Sequence, residues 1–174
     1  MTKPQPRQYL QWALLLAGLV LLITAARTLW PAAQADLGTA RARAGVEQWR
    51  THPRPVSLKE WGVWRADLTR GLDLTPGDAQ LHDLMGYLYG TYALQAKGAP
   101  DLARDFYQQA YTSFSQAAIL RPMSPDFAQN AGLAAKLSAQ PDLQAKGHFW
   151  ECRAVAYTAA GVALPNELVA SRCH

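Results

Sequence analysis

Few residues in this chain are equipped for chemistry. Among 174 residues there are four histidines (His52, His82, His148 and His174) and two cysteines, Cys152 and Cys173. No serine, histidine and acid form a nucleophilic set, and no carboxylate pair stands out for acid–base work. No glycine-rich run could cradle a phosphate. Cys173-His174 lacks the second cysteine, three positions upstream, that haem attachment requires. The expectation is a protein that is not an enzyme and uses no cofactor. A strand pattern is missing as well, which leaves an all-α chain.

Basic charge is scarcer than the net +4 suggests. Lys3, Arg7 and Arg27 precede residue 36 with no acid beside them, so the rest of the chain carries only +1. Residues 36–70 hold seven basic and four acidic side chains, and residues 71–174 hold seven and nine. No basic groove results, which excludes a nucleic-acid partner. The mild basic excess of residues 36–70 lies where anionic headgroups would attract it.

Charge is absent altogether from Tyr9 to Ala26, an apolar run of 18 residues. Continued to Trp30, this segment is long enough to cross a hydrocarbon core of about 30 Å. Tyr9 and Trp12 at one end and Trp30 at the other suit interfacial aromatics, and Arg27 could snorkel outward. A transmembrane anchor over 9–30 is expected, behind a cytoplasmic tail over 1–8. A signal peptide cut after Ala33-Gln34-Ala35 competes with it, but its apolar core would be unusually long. A buried core helix is disfavoured because the run is apolar on every face. A short basic tail ahead of a first span usually stays cytoplasmic, which puts the bulk of the chain in the periplasm of a Gram-negative host. The two cysteines, both in the exported part, suit one disulfide in an oxidising compartment. A zinc site of His148, Cys152, Cys173 and His174 is the competing reading, since His148 and Cys152 share a helix face.

Pro31 is expected to break or kink the chain after the span. Residues 31–56 then read as a juxtamembrane helix and a proline-rich linker. Ser57-Leu-Lys-Glu60 is a capping box that opens a helix to about Leu74. Asp78 caps a helix to about Ala96. Pro100, Pro125 and Pro141 suit the first turns of three more, ending near Leu120, Ser138 and Gly161. Trp49, Trp61 and Trp64 lie near the expected membrane end. Their functional reading is a membrane-proximal docking patch; the competing one makes Trp61 and Trp64 core, with Trp49 the freest of the three.

Pro76, Pro122 and Pro165 recur 46 and 43 residues apart. Gly86 and Gly132 follow the first two at the same offset. Ala110, Phe114 and Ala117 precede Pro122, and Tyr157 and Ala160 precede Pro165 at matching offsets. This grid resembles the tetratricopeptide repeat, a helix-turn-helix unit of 34 residues, over residues 57–170. The periods are longer than 34, with the extra length expected around 97–100 and 139–141. The family's tryptophan is replaced by His82 and Ala128. The resemblance implies a helical-hairpin solenoid over 57–174 and a concave groove lined by the first helix of each repeat. Family positions that touch ligands fall here on Gln80, Asp83, Tyr87, Gly90 and Thr91, then on Asp126, Gln129, Leu133, Lys136 and Leu137. The lysine and asparagine clamp of chaperone-binding members is absent.

The resulting expectation is a membrane-anchored periplasmic scaffold whose partner is an envelope or membrane protein. Architecture and the Arg121-Pro-Met-Ser-Pro125 turn look like accessory proteins of exopolysaccharide synthesis and export. The alternative is a structural subunit of a larger inner-membrane complex, packed through its tryptophans.

Overall fold

The structure, a computed structural model, describes residues 6–96 and 98–160. Pro165, Cys173 and His174 lie outside the described residues. So do the expected cap over 165–174 and the Cys173 end of the expected disulfide. Six helices and no strand occupy the described residues: α1 (Pro6–Thr51), α2 (Leu58–Leu74), α3 (Ala79–Gln95), α4 (Pro100–Leu120), α5 (Pro125–Leu137) and α6 (Pro141–Ala160).

The first half of α1 is long and apolar enough to cross a membrane, with a window of mean hydropathy 2.0 that packs against nothing in the chain. Every residue from Trp12 to Trp30 is exposed. The segment is therefore not a core helix of this fold.

Of the break or kink expected at Pro31, the break is absent: α1 continues through it to Thr51. A proline removes one ladder hydrogen bond, and packing just beyond it holds the helix. Ala35, Thr39, Ala42, Val46 and Trp49 recur every three or four residues and are all buried. This stripe faces α2, so residues 35–49 belong to the helical core. Gly45 makes the approach possible, because a Cβ there would overlap the Trp64 ring.

The turns follow their local chemistry. The Ser57 hydroxyl accepts from the Glu60 amide at 3.2 Å. The Asp78 carboxylate accepts from Gln80 and Leu81 at 2.8 and 3.3 Å. Helices α4, α5 and α6 start on prolines, where a missing amide hydrogen costs nothing. The connections 96–99 and 138–140 are short. Of the helices or loops that could hold the extra length relative to a 34-residue unit, the helices do, with α4 at 21 and α6 at 20 residues.

Successive helices run antiparallel and pair as α1 with α2, α3 with α4, and α5 with α6. Phe114 of α4 lies against Gly86 of α3, where a Cβ would come within 2.5 Å of the ring. In the last pair the corresponding space at Gly132 is taken by Glu151 and the Gly147 backbone rather than by Tyr157. Asn130 of α5 reaches across to α3, its Nδ2 donating to Asp83 at 3.1 Å and to the Tyr87 hydroxyl at 2.9 Å.

Candidate partner-binding groove

The end of α1, the segment after it, α3, α4 and α5 enclose an open, mostly apolar groove of about 790 Å³. One wall is α3, through Tyr87, Gly90, Thr91 and Leu94; the opposite wall is α5, through Asn130, Leu133 and Leu137. Leu94, Leu133 and Leu137 are 44–54% exposed, so the groove keeps three large apolar side chains in water. Such a surface costs free energy until something covers it.

Trp49, Arg50 and the turn Pro53-Arg54-Pro55 bound one end of the groove. That turn is pinned. The Arg54 carbonyl accepts from Trp49 Nε1 at 2.8 Å and from Gln95 Nε2 at 2.9 Å, which fastens it to both α1 and α3. Two prolines within it restrict the backbone further.

The polar groups nearby form a short chain. The Arg50 guanidinium lies 5.2 Å from the centre of the Tyr87 ring and takes both Glu47 oxygens, at 2.7 and 3.1 Å. The Glu47 hydrogen bond, then Tyr87, pushes the Arg50 pKa further up, so this cation stays charged. Its effect on Glu47 is the converse, lowering the carboxyl pKa chiefly by the same hydrogen bond. Behind Tyr87, burial pushes the Asp83 carboxyl up to about 6, against the opposing pull of the Asn130 hydrogen bond and of Arg50.

The resemblance placed ten residues at this groove, and they separate. Tyr87, Gly90, Thr91, Leu133 and Leu137 line it, and Asp126 does not. Asp83 lies outside the lining, tied to Asn130. Gln80 and Gln129 are exposed but do not line it. Lys136 turns to α6 and pairs with Glu151 at 2.6 Å. The expected docking tryptophans are core: Trp49 is 1% exposed, and Trp61 and Trp64 are each 5% exposed. Trp49 and Trp64 meet at 6.0 Å, and Trp61 is enclosed by Tyr89, Tyr92 and Phe106. An unbroken α1 carries Trp49 about 28 Å beyond Trp30 at 1.5 Å per residue.

Arg50, Arg54, Leu94 and Asn130 were not foreseen. Leu94 follows Tyr87 at a helical spacing of seven and was within reach of the pattern. The two arginines depend on α1 packing beside α3, which no local spacing reveals.

Most arginines of residues 36–70 are ion-paired, chiefly with acids of the same segment, so the local basic excess remains. Arg41 binds the buried Asp67 at 2.8 Å. Arg43 joins Asp36 at 3.1 Å and Asp78 at 3.3 Å, tying α1 to the cap of α3. Arg54 is held by Glu60. On α6, His148 Nε2 and Cys152 Sγ lie 3.8 Å apart. Among the described residues no three His, Cys, Asp or Glu gather as a metal ion would need. Cys173 and His174, the other members of the expected set, lie outside the described residues.

No protein-family model, curated protein or solved structure matches the chain.

Proposed function

We propose that the chain is a membrane-anchored protein-interaction scaffold of tetratricopeptide type, with the bulk of the chain on the periplasmic side. It recruits or holds a cell-envelope protein, in the setting of exopolysaccharide synthesis or export. Residues 9–30 anchor it in the inner membrane, and one disulfide, Cys152 to Cys173, fastens the end of the chain. The observation that carries this reading is the groove, where Leu94, Leu133 and Leu137 stand exposed beside a pinned end wall. Confinement to the bilayer raises the effective concentration of the groove toward partners in the same membrane.

The alternative is a structural subunit of a larger inner-membrane complex, with the groove filled permanently; it draws less support from the three tryptophans, which are buried.

A photo-crosslinking residue at Leu133, compared with one at the exposed Gln80 outside the groove, tests the scaffold reading in the native host. One envelope protein captured from Leu133 and not from Gln80 is the expected result. Equal capture from both positions, or adducts with lipid alone, would sink it. A reporter fused after His174 that is active only outside the cytoplasm checks the orientation.

A further inference from the structure

We infer that the groove takes a protein segment in which an acidic residue accompanies apolar ones, its carboxylate meeting the arginine end. This rests on the groove being a partner site and names the partner's chemistry. Among the described residues, the charged ones lining the groove are Arg50 and Arg54, both at the end formed by α1 and the Pro53–Pro55 turn. The acids that hold them, Glu47 and Glu60, are not part of the lining. An occupant thus meets the Arg50 cation and, among the described lining residues, no carboxylate, beside walls of Leu94, Leu133 and Leu137.

Arg50 is suited to a carboxylate. Its guanidinium is positioned by Glu47 and lies against the Tyr87 ring, so little side-chain freedom is lost when a further acceptor arrives. The Tyr87 hydroxyl accepts from Asn130, which leaves its own hydrogen to donate. A carboxylate beside Arg50 and Tyr87 gains charge-assisted hydrogen bonds in a groove that is otherwise apolar. A basic segment would meet like charge at the same place, and a purely apolar one would leave the arginine end unused.

Because α1 itself supplies Arg50, the carboxylate seat belongs to the same helix as the proposed membrane anchor. The chemistry of the groove end is thus set by a helix that the repeat grid did not include.

The test is selection of random phage-displayed dodecapeptides on the full chain in phosphatidylcholine nanodiscs, counter-selected on empty nanodiscs. The expected result is enrichment of Asp or Glu next to Leu, Ile or Phe. A selected peptide should lose about tenfold or more in affinity when its acid becomes the amide, or on Arg50→Gln, as expected for one charge-assisted bond. Arg50→Lys should restore part of it, and the Arg50→Gln melting curve shows whether the fold is intact. If Leu133→Asp abolishes binding but the selected peptides carry no acid preference, this inference is wrong and the groove reading stands. If no peptide depends on Leu133, both fail. Lipid retained in the groove by native mass spectrometry, displaced by no peptide, would likewise overturn it.

Discussion

Around α1, α2 and α3 the interior is built from large rings, whereas across α4, α5 and α6 it is built mainly from methyl groups. The first cluster holds Trp49, Trp61, Trp64, Leu68, Leu81 and Leu88. The second holds Ala110, Ala118, Ala128, Ala131, Ala134 and Ala154, with Phe114 and Trp150 as its large members. Rings fill wide gaps between helices, and alanines let backbones close up. The two halves should therefore fail in opposite ways. One is sensitive to removing atoms, the other to adding them.

The largest effect should come from emptying the ring-filled half. Trp64→Ala is expected to cost about 3–5 kcal/mol, because Gly45 and the tight α1–α2 contact leave nothing to collapse into the space. Urea unfolding of the full chain in detergent, followed by far-ultraviolet circular dichroism, measures it. A loss under about 1 kcal/mol would show that the first half repacks freely and would erase the contrast.

In the alanine half the informative change runs the other way. Ala131→Leu, at a position with no exposure, should cost about 1–3 kcal/mol by forcing α5 off its neighbours. If the added side chain is accommodated without loss, the second half is looser than its buried alanines indicate.

Where the halves meet, Asp83 on α3 faces Asn130 on α5, and its pKa is raised to about 6 from an ordinary 3.8. Its folded value exceeds its unfolded one, so the unfolded chain releases this proton first as pH rises. Stability tied to Asp83 is full below about pH 4 and falls until about pH 6. Asp83→Asn keeps an acceptor for Asn130 and removes the charge. It should raise stability at pH 7 by about 1–2 kcal/mol and flatten the profile between pH 4 and 6. An unchanged slope between those pH values would remove Asp83 as its source.

The smallest effect belongs to the α5–α6 connection. Ala139 has φ of 55°, a left-handed conformation that strains a residue with a Cβ. Ala139→Gly should raise stability by about 0.5–1 kcal/mol, read as a small rise in the unfolding midpoint. A decrease would mean that unfolded-chain entropy outweighs the strain.

Local chemistry made five of the six helices legible. Ser57, Asp78, Pro100, Pro125 and Pro141 mark starts that depend on only the next few residues. The course of α1 was not legible in the same way. Pro31 is a local breaking signal, while the opposing stripe of Ala35, Thr39, Ala42, Val46 and Trp49 matters only once α2 lies against it. The same cause separates the groove residues. Tyr87, Thr91 and Leu133 follow from their place on one helix face. Lys136 is drawn away by Glu151, and Arg50 and Arg54 arrive from the end of α1 and the turn after it, distant in sequence.

In the anchored scaffold proposed above, with Trp30 at the rim of the hydrocarbon layer, the unbroken α1 acts as a ruler. Twenty residues separate Trp30 from Arg50, which puts the arginine end of the groove about 30 Å further along the helix axis. Access is then limited by height as well as by chemistry. A partner embedded in the same bilayer has to raise its segment that far above the lipid, and one held closer to the membrane passes beneath the groove untouched.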